Sequence, residues 1–344
     1  MATLKRGTKE FDRLAETLDD LITLDLTSRG LIGRLVEITK HKQKGPMCLA
    51  AADLAVKACS HGGPALIATG FPMGAGVPET DGPVGAAMLA RALYVGLGVS
   101  SVIVTDEDWR DCIAETCRGG GMAPLPLPES GVVPKLQNIR PVFVMGVPKD
   151  TPGAHRAADH LLAHTKPSLL VAIERPGMNR HGVYHGSSGR VIGESTADLD
   201  YLFRKGAEMR IPSIAFGDAG NELGFGDIQD ELPGVLPSAK DCGCPCHGGV
   251  AAATPADVMV MTDVSNWGVT GMIAALALVL GNPAVLHPPE AELRSLDYCV
   301  AAGGLEGETM APEPGVDLVP AVEWLGLLRV MQGILARAWL MWAK

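Results

Sequence analysis

This sequence predicts an α/β fold: a mostly parallel sheet of about six or more strands with helices on both faces, preceded by an N-terminal helical lead-in. Three observations point there. Apolar runs of four to six residues, too short for helices, alternate with amphipathic stretches of helical length. Polar, glycine-rich loops follow those runs repeatedly, in the place where ligands bind beyond the carboxyl ends of parallel strands. The composition of the 344 residues, 47% hydrophobic and 20% charged, is that of a chain with a large core.

The lead-in comes first. Residues 10–26 read as a helix with Leu14, Leu18, Leu21 and Ile22 on one face, and residues 31–42 and 47–59 as two more. Gly62-Gly63-Pro64 ends the pattern, and ALIAT at 65–69 is the first buried strand. Pro83 opens the following helix, where a first-turn proline loses no hydrogen bond. Strands are expected at 102–105, 141–145 (PVFVM), 169–173 (LLVAI), 211–216 (IPSIAF) and 257–262 (DVMVMT), with helices at 152–164, 198–209 and 269–280 between or after them. The proline-punctuated stretch MAPLPLPESG reads as a connection, and helices are expected to dominate the remainder. With no internal repeat and no linker, residues 1–344 are expected to form one domain.

Composition excludes several classes. A net charge of −10 argues against nucleic acid, whose phosphates demand a basic surface. Glycine is frequent, 42 of 344 residues or roughly 12% against about 7% on average, which favours an enzyme with several glycine-built loops. No membrane partner is expected, because the apolar stretch 272–280 is too short to span a bilayer. The eight cysteines are scattered, and the first twenty residues carry no apolar signal region, so a reducing cytoplasm is expected. Residues 324–342, with Arg329 and Arg337, read as an amphipathic helix serving as core or subunit contact, which leaves a homo-oligomer open.

The chemistry concentrates in loops. GDAGNELGFG, at 217–226, sets Asp218 at the end of a strand and Glu222 four residues on, with Glu222 expected one turn into a following helix. Acidic oxygens beside permissive backbone suit a hard cation, Mg²⁺ or Mn²⁺. The competing reading is a helix cap at Asp218 with a solvated Glu222. ETDGP, at 79–83, adds Glu79 and Asp81 and a helix start suited to an anion, with Thr80 or Asp81 as simple caps in the plainer reading. ERPG supplies Arg175, which either grips a carboxylate with two prongs or pairs with an acid of the protein itself. His185 titrates near neutrality and is a candidate base, and Lys149 is a further candidate. In CGCPCH, Cys242, Cys244, Cys246 and His247 resemble zinc ligands, but the spacing is too tight for one ion to take all four; an ordinary loop is the leading interpretation. No dinucleotide fingerprint, phosphate-binding P-loop or hydrolase elbow stands in a supporting context.

Four of these segments, ETDGPVGA, ERPGMNRHGVYH, GDAGNELGFG and SNWG at 265–268, occur in the order and spread found in the D-glutamate cyclase family, which the chain resembles. The resemblance implies a carbon–oxygen lyase (a hydro-lyase of D-amino acid metabolism) that reversibly dehydrates D-glutamate, a small acidic metabolite, to 5-oxo-D-proline. Set against that chemistry, the expected metal ligands are Glu79, Asp81, Asp218 and Glu222, and the expected catalytic groups Asp218, Glu222 and His185. Thr80, Arg175, Asn179, Asn221 and Asn266 are expected to bind substrate, Arg175 through the α-carboxylate. Two rivals compete: a metal-dependent phosphatase acting on a small phosphorylated metabolite, and a non-catalytic binder of an acidic metabolite.

Overall fold

The computed structural model describes residues 6–342 apart from 74, 75, 135 and 137; the first five residues of the N-terminus discussed above lie outside the described residues. Seven strands form one parallel sheet: β1 Ala65–Thr69, β2 Ser101–Asp106, β3 Ala123–Pro126, β4 Pro141–Val147, β5 Leu169–Ile173, β6 Ser213–Gly217 and β7 Val258–Met261, in the order β3-β4-β2-β1-β5-β6-β7. The three strands at its centre, β2, β1 and β5, are buried along their whole length, as a sheet covered on both faces requires. The strand missed by sequence reading is β3, in the proline-punctuated connection. It sits at the edge, where Ala123 donates its N–H to Arg140 O and the amide-free Pro124 and Pro126 leave no inner neighbour unpaired.

Three lead-in helices, α1 Lys9–Ile22, α2 Ile32–Lys42 and α3 Met47–Cys59, precede the sheet. The first stops four residues short of the expected end. Thr8 opens it by accepting the Phe11 N–H, and buried Asp19 accepts the N–H groups of Met47 and Cys48 to start α3. The crossovers are α4 Pro83–Leu97, α5 Arg110–Gly119, α6 Thr151–Thr165 and α7 Asp200–Glu208, followed by the short α8 Pro237–Lys240. After β7 comes α9 Ser265–Leu280, whose first fourteen residues are all buried, then α10 Pro289–Ala301 and α11 Ala321–Trp342. The apolar stretch within α9 is therefore a core helix packed against α1, α3, α4 and α11. A two-residue hairpin, β8 Gly315–Val316 with β9 Val319–Pro320, lies between α10 and α11.

The topology places the site. From β1 the chain moves outward through β2 to the edge strand β3, inserts β4 between those two, then crosses back to β5 on the other side of β1. Ligand crevices in parallel sheets open where the winding reverses, here between β1 and β5. Register aligns the exits: Thr69 pairs with Ile173 and Ile173 with Phe216, so Glu174 and Asp218 leave the sheet close together.

Candidate active site

The acids at this edge arrive by four separate routes. Glu79 and Asp81 end the loop that returns from β1, Glu174 follows β5 directly, and Asp218 follows β6. Glu174 sits at φ 40°, a left-handed conformation costly for a side chain with a Cβ and found where a site dictates geometry. Glu222 is not on a helix. It turns back on its own loop, where its two oxygens accept the N–H groups of Ala219 (3.2 Å) and Gly220 (2.7 Å). The sixth acid, Asp317, comes from the β8–β9 turn, in which Asp317 and Leu318 both have positive φ (49° and 67°), as a tight primed hairpin demands.

These groups converge on an open cavity of about 290 Å³ lined by Glu79, Glu174, Asp218, Asn221, Glu222 and Asp317, with Arg29 and Arg190 and the Gly186–Ser188 segment. Oxygens of Asp81, Asp218 and Asp317 lie within 4.8 Å of one another, and so do those of Glu174, Asp218 and Glu222; Asp218 is common to both trios. Arg29 donates to Asp218 Oδ2 at 2.6 Å and stands 3.7 Å from Asp317. Asp81 accepts from Ser265 N, Asn266 N and Gly82 N, and so caps α9, while the Ser265 hydroxyl donates to Glu174 at 2.6 Å.

Six carboxyls in so little water cannot all be charged at ordinary cost. Burial first, and then the neighbouring acids, hold Glu79, Glu174 and Asp317 well above the usual carboxylate range. Burial and the charge of Asp218 raise Asp81 to about 7, against the pull of its three backbone N–H donors. The same two causes bring Glu222 to about 8. Either protons or a cation must neutralise the group. An all-oxygen donor set matches Mg²⁺ or Mn²⁺, and the buried Asn221 Oδ1 on the wall accepts no hydrogen bond from the described residues.

The remaining expected site residues stand elsewhere. Arg175 does not reach the cavity: wholly buried, it pairs with Asp106 and donates to Gly70 O and Ala197 O, a joint between strands and loops. The His185 ring, expected as a base, points at Cys244 Sγ (3.3 Å) instead of the carboxyls. Thr80 donates to Gly315 O, and Asn179 braces its own turn and Gly249 O. Asn266 Oδ1 accepts the Gly82 and Gly85 N–H groups, filling the helix start that had looked suited to an anion. Lys149 pairs with Asp108 on the surface. Of the expected substrate-binding residues, Asn221 lines the cavity. None of Arg29, Arg190, Asp317 and Glu174 is among the site residues expected from sequence. The positions of Arg29 and Asp317 carried no local signal; Glu174, directly after a predicted strand, did.

Over residues 18–332 the chain matches the family described as D-glutamate cyclase-like, C-terminal. It is 30% identical to the human protein named D-glutamate cyclase, mitochondrial, over 283 residues, which cover 78% of this chain and 39% of that relative. The chain thus spans well under half the length of the curated relative it matches. Among the described residues, no helix is long and apolar enough to cross a membrane.

Proposed function

The chain belongs to the D-glutamate cyclase-like family, and from that premise we propose that its carboxyl-lined cavity closes D-glutamate to 5-oxo-D-proline with loss of water, and catalyses the reverse. The observation that carries this reading is the meeting of six acids and Arg29 at the point where the sheet's winding reverses. The amine nitrogen attacks the side-chain carboxyl carbon of the same molecule, so a pocket that folds the substrate gains a large effective molarity. Two protons must leave the substrate nitrogen and two must reach the departing oxygen; the net reaction neither takes up nor releases a proton. Carboxyls held near neutrality suit that traffic. Glu222, in its charged form, takes the first proton from the substrate ammonium and passes it to the leaving oxygen; Glu79 or Glu174, whose carboxyl burial pushes well above the usual range, gives that oxygen the second proton and is restored by the remaining proton of the nitrogen. Arg190, on the cavity wall, takes the α-carboxylate in place of the buried Arg175.

The oxygen donors fit a divalent ion, Mg²⁺ or Mn²⁺, held by Asp218 with Asp81 and Asp317 or with Glu174 and Glu222. When bound, such an ion supplies charge neutralisation and Lewis acidity toward the attacked carboxylate. The phosphatase rival is weakened by Asn266, because the helix N–H groups that would receive phosphoryl oxygens are already paired. The test is to incubate the protein with D-glutamate and, separately, with 5-oxo-D-proline in Mg²⁺ or Mn²⁺, and to resolve the products by chiral chromatography, alongside a phosphate-ester panel. Interconversion abolished by Asp218→Asn supports the reading. Phosphate release without interconversion, or tight binding without turnover, overturns it.

A further inference from the structure

The cysteine loop is resolved by the fold in a way its spacing did not suggest. Gly243, at φ 71°, and Pro245 turn the chain between Cys242, Cys244 and Cys246 so that three sulfurs face one point. Their mutual separations are 3.3, 3.5 and 3.3 Å. The fourth group is not the neighbouring His247, which is exposed and turned to Asp241. It is His185, from the loop after β5, whose Nε2 lies 3.3 Å from Cys244 Sγ and 4.0 Å from Cys246 Sγ. All four donor atoms lie within 4.8 Å of one another.

We propose that His185, Cys242, Cys244 and Cys246 bind one zinc ion in a closed, four-coordinate structural site that fastens the 242–249 loop to the segment bounding the carboxyl cavity. A tetrahedron with zinc–sulfur bonds of about 2.3 Å has edges of about 3.8 Å, a few tenths of an ångström from the separations here. The sulfurs are also met by donors suited to thiolates: Cys246 N–H to Cys244 Sγ, and Gly248 N–H and the Asn179 side-chain amide to Cys246 Sγ, each at 3.4 Å. Three thiolates, one imidazole and no carboxylate form a soft donor set that selects zinc over magnesium or manganese. Binding releases one proton from each thiol to solvent and changes no oxidation state.

The site has a clear structural task. The backbone of His185 accepts from Asn221 of the cavity wall, and Gly186, Ser187 and Ser188, which follow it directly, line that cavity. On the other side, a Cβ at Gly189 would meet Cys242 O at 2.5 Å, so the two loops are already in close contact. Zinc adds to the contacts that already join them, His185 Nε2 with Cys244 Sγ and the Asn179 amide donating to Cys246 Sγ and Gly249 O.

The metal count stands or falls independently of the reaction at the cavity. Untagged protein, purified without chelator, is expected to carry about one zinc per chain by elemental analysis. Cobalt replacing it is expected to give the visible bands and sulfur-to-metal charge transfer of a tetrahedral thiolate site. Cys244→Ser with Cys246→Ser should lower zinc below about a tenth of an equivalent. His185→Ala should lose the same bands and His247→Ala keep them. Should the double variant not fold, mercurial titration of the wild-type protein decides: zinc is released as three thiols react, or the thiols react with no zinc released. Metal-free purified protein that shows no cobalt bands, or zinc lost with His247 and kept without His185, overturns the proposal.

Discussion

Two clusters meet at residues 185–188, and they are built by opposite means. The carboxyl cluster is all oxygen, and its six members come from four segments between residues 79 and 317, each a loop or turn at a strand end. The thiol–imidazole cluster is sulfur and nitrogen, three donors from one five-residue turn and one from the neighbouring loop. The first is held by strong protein contacts: three N–H donors on Asp81, two on Glu222, Arg29 on Asp218. The second is held by weak ones. A site built on strand ends is therefore preorganised before any cation binds, whereas a site built on a turn would take its cohesion from an ion.

The largest effect that distinguishes the two clusters is expected at Asp218. Because it belongs to both oxygen trios, Asp218→Asn should lower kcat/KM for D-glutamate by about 10³, or about 4 kcal/mol. The same variant should leave zinc content and thiol reactivity unchanged. Retention of more than a tenth of the activity would break the assignment of the oxygen cluster to catalysis, and altered thiol reactivity would show that the two clusters are one unit.

Next in size is the contrast between the two arginines that meet acids at this end of the sheet. Arg175 and Asp106 are both wholly buried, so Arg175→Met strands a charge and should cost about 3 kcal/mol of folding stability in denaturant titrations. Arg29, partly exposed at the cavity, should cost clearly less as Arg29→Met and affect turnover more. If Arg29→Met destabilised the fold the more, the division between joint and site would be wrong.

A smaller effect, with a sign, comes from protons. Asp81 (about 7) and Glu222 (about 8) titrate in the folded protein well above their unfolded values near 4, so between those limits the folded state binds more protons than the unfolded one. Their stabilisation is complete below about pH 4 and is lost as pH rises through 7 to 8, by up to about 1.4 kcal/mol per pH unit for each group. Melting temperature in chelator should therefore fall from pH 5 to 8, and Mg²⁺ or Mn²⁺ should flatten that fall. Cys242 runs the other way: hydrogen bonds from its neighbours outweigh burial and bring it down to about 7, so its contribution is present above pH 9 and lost as pH falls through 7. A melting temperature that rises with pH from 5 to 8 in chelator would remove the repulsion on which the oxygen site rests.

Much of this was legible in the sequence, and what was not has physical causes. The parallel sheet with covered faces could be read because its central strands are short and apolar, and β1 and β5 are each followed by a glycine-rich loop. The edge strand β3 was hidden by Pro124 and Pro126, residues that exclude a central strand and are harmless at an edge. Glu79, Asp81, Asp218 and Glu222 stood out because they follow strands. Asp317 did not, since two-residue strands leave no periodicity. Arg175 looked like a substrate grip because a motif does not show where a side chain points; in this fold it points inward to Asp106. The zinc-like spacing was discounted because C-x-C-x-C is tight for one ion; the turn at Gly243 and Pro245 nevertheless gathers the three sulfurs, and the fourth donor, His185, comes from another loop, a long-range contact that no local pattern contains.

The smallest difference between the clusters is expected from one methyl group placed beside each. A Cβ at Gly217 would lie 2.6 Å from Glu222 Oε2 and from Phe225 Cε2, whereas one at Gly243 would have nothing within 4 Å among the described residues. Gly217→Ala therefore displaces a carboxyl that its two N–H donors hold in place, and kcat/KM should fall about tenfold, near 1.4 kcal/mol, with little change in fold. Gly243→Ala acts through backbone conformation alone, since φ there is 71°, and should cost about 1 kcal/mol, read as weaker retention of zinc against a competing chelator. The oxygen cluster should thus respond to volume and the sulfur cluster to backbone strain. If Gly217→Ala were silent while Gly243→Ala reduced turnover tenfold, the rigid cluster would be the turn, and preorganisation would belong to the sulfurs and not to the carboxyls.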